Sequence, residues 1–166
     1  MGNSTAGTRV GLISDTHGLL RPEALGALRG SDLIIHAGDI GKPEVLKELR
    51  TLAPVIAVRG NNDTGPWAAV ISERESTRIE GVTVYVLHIL PELDLDPEAT
   101  DIRVVISGHS HKPSVQERGG VLFINPGSAG PRRFKLPVSV AHLYINGSQV
   151  SAQVEELLEP ASKAIS

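Results

Sequence analysis

The first half of the chain alternates short apolar runs with segments of helical spacing. The apolar runs, which are typical of buried strands, lie at residues 9–14, 33–35 and 55–58. Residues 22–28 and 43–52 lie between them, and each begins with a proline, which suits the first turn of a helix. A strand–helix–strand–helix–strand order predicts right-handed crossovers and a core of parallel strands.

The second half of the chain is rich in predicted strands. Three pairs of short segments flank turn-forming residues and predict hairpins at residues 76–87, 114–124 and 138–155. A single buried strand is predicted at 102–106, after a proline-containing acidic loop at 91–100. We expect this half to be mainly antiparallel, and the simplest packing is two facing sheets with helices outside.

The composition is that of one globular domain. The chain has 166 residues, of which 40% are hydrophobic and 21% charged, and we expect a single domain over residues 9–156. Residues 1–8 are predicted to be a disordered leader, and residues 157–166 a C-terminal tail. The net charge of -3 argues against a general nucleic-acid or anionic-membrane surface. The sequence contains no apolar run of the roughly 18 residues that a membrane span needs. We therefore expect a cytoplasmic protein.

Polar residues of one chemical kind follow several predicted strands. Ligands of open α/β sheets bind outside the carboxyl ends of the strands. The residues found there are Asp15, His17, Asp39, Asn61, His88, His109 and His111. Because the chain has no cysteine, a metal would be held by nitrogen and oxygen ligands, which favours Mn, Fe, Zn, Ni, Co or Mg. Seven ligands exceed the need of one ion and suit two ions that share a carboxylate.

The order of these motifs resembles a known family. The patterns D-x-H at 15–17, G-D at 38–39, G-N-x-D at 60–63, His88 and G-H-x-H at 108–111 resemble the calcineurin-like metallophosphoesterase superfamily. The resemblance is strongest to its short bacterial and archaeal phosphodiesterase branch, and the N-P-G-S turn at 125–128 adds to it. It implies an α/β fold, a four-layer α/β/β/α sandwich of two mixed β-sheets flanked by helices. It also implies a phosphodiesterase that hydrolyses phosphodiester bonds with two metal ions.

The resemblance assigns a role to each candidate residue. The first metal would be held by Asp15, His17, Asp39 and His111, and the second by Asp39, Asn61, His88 and His109, with Asp39 bridging. Asp39, Asn61 and His109 would act in catalysis through the metals, and a hydroxide bridging the two ions would attack phosphorus. We expect two divalent ions, first of all Mn, with Ni, Co, Fe, Zn or Mg as alternatives. The expected partners are a small phosphodiester substrate and, as in many short members, a second copy of the chain in a homodimer.

Three departures from the family pattern modify these expectations. Asn62 stands where many members have a histidine that serves as a general acid, so we identify no separate proton donor and expect acidic leaving groups to be favoured. His88 is followed by Ile89 and Leu90 and not by the usual glycine. The segment at 89–101 is shorter than the helical stretch of relatives, so we expect a more open site.

Two other functions are consistent with the same residues. The retromer subunit of this fold resembles these enzymes and works mainly in protein interaction, so a non-catalytic metal-binding scaffold is one alternative. A phosphomonoesterase or nucleotide phosphatase is the other, because a two-metal centre does not by itself distinguish monoesters from diesters. Outside the seven residues, we expect His36 to be structural and His142 to lie away from the site. For Asp63, a role in orienting neighbouring groups and a role in capping the next segment both remain open.

Overall fold

The computed structural model describes residues 7–97, 99–133 and 135–158. In its first half, strands and helices alternate as predicted. They are β1 (Thr8–Ile13), α1 (Pro22–Leu28), β2 (Leu33–His36), α2 (Pro43–Leu49), β3 (Val55–Ala57) and α3 (Pro66–Ala69). The short helix α3 was not predicted, and β1 begins at Thr8, within the predicted leader. The other predicted leader residues, apart from Gly7, and most of the predicted tail lie outside the described residues.

The second half contains the predicted hairpins and the single strand. Its elements are β4 (Arg74–Ile79), β5 (Val82–Leu87), a 3-10 turn (Leu90–Glu92), β6 (Ile102–Ile106), β7 (Ser114–Arg118), β8 (Val121–Asn125), β9 (Ser139–Asn146) and β10 (Gln149–Glu156). At the first hairpin, Glu80 and Gly81 both have a positive φ, of 50° and 83°, which matches the twist of the two strands that they join.

The strands form two mixed five-stranded sheets. The first sheet has the order β10-β9-β1-β2-β3, and the second has the order β4-β5-β6-β8-β7. Strands β1, β2 and β3 are parallel, as predicted. The expectation of a mainly antiparallel second half is wrong for the centre of the second sheet, where β5, β6 and β8 are parallel. The reason is that the chain returns in the same direction between β5 and β6, and again between β6 and β8 by way of the edge strand β7, and hairpin signals do not reveal such returns.

Three apolar clusters hold the layers together. The largest lies between the sheets and includes Leu12, Val86 and Ile106. A second lies under α1 and α2, which bury Leu28 and Leu49 against the first sheet. The third lies on the outer face of the second sheet, part of which is covered by the segment that contains the 3-10 turn. The α/β sandwich is confirmed, and this packing brings the carboxyl ends of β1, β2, β5 and β6 together at one edge. Among the described residues, no helix has the length and apolar character needed to span a membrane.

Candidate metal centre

Six of the seven predicted ligands come together where β1, β2, β5 and β6 end. Asp15, His17 and His111 form one group, and Asp39, His88 and His109 form a second. Within each group, one potential ligand atom from every residue lies within 4.8 Å of the others. The seventh residue, Asn61, is an exposed residue just after β3, and its role as a ligand stays a prediction.

The two groups adjoin and form one cluster. His17 Nε2 lies 3.7 Å from Asp15 Oδ1 and 3.8 Å from Asp39 Oδ2. His88 Nε2 lies 3.8 Å from the same oxygen of Asp15 and 3.2 Å from that of Asp39. Each of these imidazoles therefore lies beside both carboxylates, which is the arrangement expected if one carboxylate is shared between two ions.

Several polar atoms of this cluster are buried without a hydrogen bond. Among the described residues, Asp15 Oδ1, His17 Nε2, His88 Nε2 and His111 Nδ1 have no hydrogen-bond partner. A buried polar atom without a partner costs roughly 1–3 kcal/mol, so native proteins rarely retain several in one place. Imidazole nitrogens and carboxylate oxygens are the ligands that divalent transition metals accept. The residues present therefore fit a metal centre.

The charge state of the cluster is set by its own members. Burial alone would raise the pKa of Asp15, but the nearby His111 imidazole, the hydrogen bond from Ser14 and the charge of His88 lower it below its usual value. Burial also raises the pKa of Asp39, and the contacts with His88 and Asn62 lower it by more. For His88, burial lowers the pKa, and the two carboxylates raise it above the usual value. The carboxylates are thus ionised at neutral pH, and a metal at His88 Nε2 would compete with a proton for the same atom.

The backbone is strained at most of the predicted ligands. Five of them have left-handed backbone conformations, which side chains other than glycine rarely adopt. Their φ values are 56° for Asp15, 48° for His17, 57° for Asp39, 74° for His109 and 65° for His111. Each lies just after a strand, where the chain turns sharply and directs the side chain to the edge of the sheet. Strain of this kind persists only where the surrounding structure enforces it, and it concentrates at functional sites.

Glycines allow the ligand loops to approach one another closely. A Cβ atom on Gly108 would overlap Ser14 Oγ and lie 2.7 Å from Asp15 Oδ2. A Cβ atom on Gly60 would overlap Asp39. Any side chain at Gly60 or Gly108 would therefore collide with a neighbouring loop, so both positions require glycine for steric reasons.

Hydrogen bonds fix the orientation of the predicted ligands. The Nδ1 of His88 lies 2.7 Å from the carbonyl oxygen of Ala37, which can only accept, so Nδ1 carries the proton and Nε2 is free to bind a metal. Ser14 Oγ donates to Asp15 Oδ2 at 2.6 Å. The amide of Asn125 donates to Gly108 O at 3.0 Å and thereby anchors the loop that carries His109. The supporting roles of Ser14 and Asn125 were not predicted, because in the sequence only their position next to a strand end distinguishes these two residues.

Asp63 braces two of the loops. Its carboxylate accepts hydrogen bonds from the backbone N–H groups of Ile40 at 3.1 Å, Gly41 at 2.9 Å and Gly60 at 2.9 Å. The loop after β2 and the loop after β3 are therefore tied to one side chain. Of the two roles left open by the sequence, the structure favours the orientation of neighbouring groups.

The two remaining histidines lie outside both ligand groups. His36 is fully buried, its Nδ1 accepts the N–H of Gly38 at 3.1 Å, and its Nε2 lies 3.0 Å from Thr16 Oγ1. Burial lowers the pKa of His36 to about 4, against the smaller effect of nearby carboxylates. His142 pairs with Glu155 at 2.7 Å on the outer side of the first sheet. Both placements agree with the roles expected from the sequence.

Comparison with known proteins shows that this chain is similar to one family of phosphoesterases. The family model of the calcineurin-like phosphoesterase superfamily domain matches residues 8–148. A probable metallophosphoesterase of Methanothermobacter thermautotrophicus is 35% identical, over 94% of this chain and 96% of the relative. A phosphodiesterase of Methanocaldococcus jannaschii is 31% identical, over 72% of this chain and 82% of the relative.

A solved structure shows the same fold at lower identity. The vacuolar protein sorting 29 protein of Cryptosporidium parvum has a TM-score of 0.78 and 23% identity, and the match covers 92% of this chain and 93% of that one. At this identity, the similarity concerns the fold alone. The family and the metal-dependent type of site thus follow from the sequence relatives together with the ligand groups.

Proposed function

This chain belongs to the calcineurin-like phosphoesterase superfamily, and on that basis we propose that it is a phosphodiesterase that depends on two divalent metal ions. The observation that carries the proposal is the cluster of six ligands with four buried polar atoms that no described residue satisfies. A protein that had lost metal binding would have no reason to retain this unsatisfied and strained arrangement at one sheet edge, and turnover then separates the enzyme from a metal-binding scaffold.

We assign the ligands as the geometry groups them. Asp15, His17 and His111 would hold one ion, and His88, His109 and the predicted ligand Asn61 would hold the other, with Asp39 shared. When bound, two such ions would supply Lewis acidity to the phosphoryl oxygens and activate a water nucleophile. Mn is the first metal to test, since the ligand set contains nitrogen and oxygen only.

The chain's own side chains contribute charge and position. Asp15 and Asp39 stay ionised because their neighbours lower the pKa of both, so the ligand set carries two negative charges at neutral pH. His109 is exposed, so it lies on the side from which a substrate arrives. Asn62 cannot provide an acidic proton to a leaving group, and we therefore expect diesters with acidic leaving groups, such as aryl esters, to react fastest.

The test is hydrolysis of bis(p-nitrophenyl) phosphate beside p-nitrophenyl phosphate. Protein freed of metal by a chelator is supplied with Mn, Ni, Co, Zn or Mg in turn. We expect metal-dependent cleavage of the diester in preference to the monoester. Asp39→Ala and His109→Ala should each abolish it, whereas His142→Gln, which alters a buried histidine outside both groups, should retain it.

Each outcome bears on one function. Full activity of Asp39→Ala without metal would refute the two-metal proposal. A preference for the monoester would identify a phosphomonoesterase. Folded, metal-loaded protein that cleaves neither ester would refute the enzymatic function and favour the non-catalytic scaffold.

A further inference from the structure

A pocket of about 300 Å³ adjoins the candidate metal centre on the outer side of the second sheet. We call it the side pocket, and its lining includes His109, Leu90, Pro91, Gln116, Arg118 and Phe123. Because His109 belongs to both the side pocket and the second ligand group, the pocket lies directly beside that group. A diester held at the ligand groups has two ester groups that must point outwards, and this pocket is one of the spaces next to them.

The side pocket offers an aromatic surface. The Phe123 ring is half-buried, and the guanidinium carbon of Arg118 lies 4.4 Å from its centroid. This cation–π contact holds the planar Arg118 cation against the Phe123 ring. Aromatic side chains make up only 3% of the chain, so few other positions could offer such a surface. Leu90 and Pro91 add apolar surface. A flat aromatic group can stack on such a platform, as bases stack on aromatic and arginine side chains.

The charges of the side pocket fit an anionic substrate. The ionisable residues that line it are His109 and Arg118, and no acidic residue is among its described lining. A second space, of about 240 Å³, adjoins the centre beside Asn61 and His88, and its lining includes two glutamates, Glu73 and Glu92, and two arginines, Arg59 and Arg74. Arg59 pairs with Glu73 at 2.9 Å, and no described phenylalanine, tyrosine or tryptophan lines this space. The side pocket has an aromatic side chain and no carboxylate in its described lining, so it suits an aromatic group that is attached to a phosphate better.

The short segment after His88 explains why this space is open. After β5 the chain makes one 3-10 turn, Leu90–Glu92, and then irregular structure leads to β6. Leu90, Leu93 and Leu95 cover part of the outer face of the second sheet. Phe123 packs against the same cluster yet remains half-buried, because no longer helix covers this part of the face among the described residues.

We propose that the side pocket binds an aromatic ester group of the substrate, stacked on Phe123 and Arg118. The inference rests on the proposed function, since the phosphate of the same substrate would lie at the ligand groups. It makes Phe123 and Arg118 specificity residues and narrows the substrate class to aryl or nucleoside phosphodiesters.

The test is calorimetric binding of phenylphosphonate and methylphosphonate to the manganese-loaded protein. The two ligands share the phosphonate and differ in the ring. We expect the phenyl ligand to bind on the order of 10-fold more tightly, as for the gain of one stacking contact. Phe123→Leu, which keeps an apolar side chain, and Arg118→Gln, at an exposed residue, should each reduce this preference. Val115→Ala is the matched control, because Val115 lies on the same strand and does not line the side pocket.

A second pair of ligands distinguishes the source of the aromatic group. If a nucleobase reaches the side pocket, adenosine 5′-monophosphate should bind more tightly than ribose 5-phosphate, and Phe123→Leu should reduce the difference. Equal affinities within both pairs would overturn the pocket assignment and leave the metal centre intact. Failure of every ligand to bind metal-loaded protein would overturn the inference together with the function on which it rests.

Discussion

The side chain of Asn62 donates a hydrogen bond to Asp39, with its Nδ2 atom 3.0 Å from Oδ2. The backbone N–H of Asn62 donates to the other oxygen, Oδ1, at 2.9 Å. One residue therefore fixes both oxygens of the carboxylate that lies between the two ligand groups. The position that many family members fill with histidine serves here to hold Asp39, a predicted metal ligand, in place.

This relationship gives a prediction about metal affinity. In Asn62→Ala the backbone bond remains and the side-chain bond is lost, so we expect metal affinity to fall on the order of 10-fold, as for other groups that support a ligand. Asn61→Ala should remove a ligand and abolish binding of one ion. Calorimetric titration with Mn would measure both. A larger effect of Asn62→Ala than of Asn61→Ala would contradict the assignment of Asn61 as the ligand.

The close approach at Gly108 gives a prediction about stability. In Gly108→Ala the added methyl group meets Ser14 and Asp15, and we expect the free energy of unfolding to fall by about 1–3 kcal/mol. Gly26→Ala is the control, because Gly26 lies in α1 with nothing within 4 Å of the added atom. It should stabilise the protein by about 0.5–1 kcal/mol. Urea denaturation measures the free energy of unfolding of both variants. An equal change in this free energy for the two variants would rule out the steric explanation.

The three hydrogen bonds that Asp63 accepts give a prediction about the stability of Asp63→Asn, a change that leaves the size of the side chain almost the same. In Asp63→Asn an amide N–H₂ group replaces one oxygen and faces a backbone N–H, so at least one buried donor loses its acceptor. We expect a loss of about 1–3 kcal/mol in the free energy of unfolding, together with weaker metal binding. Asp32→Asn, at an exposed residue with one such bond, should cost less. If both changes cost the same, the bracing role of Asp63 would be refuted.

The positive φ of His109 predicts an order of stability between two truncations. His109→Gly and His109→Ala both remove the ring, but only glycine adopts a φ of 74° without strain. We expect the glycine variant to be more stable by about 1 kcal/mol in chemical denaturation of the metal-free protein. At Val115, in a regular strand, the order should be reversed, with alanine more stable than glycine. The same order at both sites would argue against backbone strain at the ligand.

The buried His36 predicts a pH dependence of stability. Its folded pKa of about 4 lies below the ordinary value of 6.5, so between these values the unfolded chain binds a proton that the folded protein excludes. As the pH falls through this window, the residue should lower the free energy of unfolding of metal-free protein by roughly 3 kcal/mol. His88, with its raised pKa, acts in the opposite direction, so the measurement must be a comparison.

The comparison is with His36→Asn, which cannot titrate and can still accept the N–H of Gly38. Denaturation midpoints of the two proteins between pH 7 and pH 4 should converge or cross as the pH falls. The reason is that only the wild-type protein contains His36, whose exclusion of a proton in the folded state lowers stability at low pH. Parallel curves would mean that His36 stays protonated or is accessible to solvent in the folded protein.

The sequence by itself determined the elements and the kinds of ligand. Apolar runs predicted the buried strands, because a buried strand must be apolar whatever its neighbours. The more exposed strands β4, β7 and β10 were predicted from the turn residues beside them. The ligand types followed from the same pattern, since Asp15, Asp39 and His109 come directly after such runs. The motif order also indicated the family, which the relatives confirm.

Only the tertiary structure decided which polar residues meet and what supports them. The parallel pairing of β5, β6 and β8 brings His88 and His109 together, and no local pattern specifies a pairing between distant strands. The bonds from Asn62 to Asp39 and from Asn125 to Gly108 likewise depend on loops that are far apart in sequence. The side pocket exists because the segment after His88 covers only part of the sheet. A sequence specifies local conformation and burial, whereas contacts between distant loops are set by how whole sheets pack.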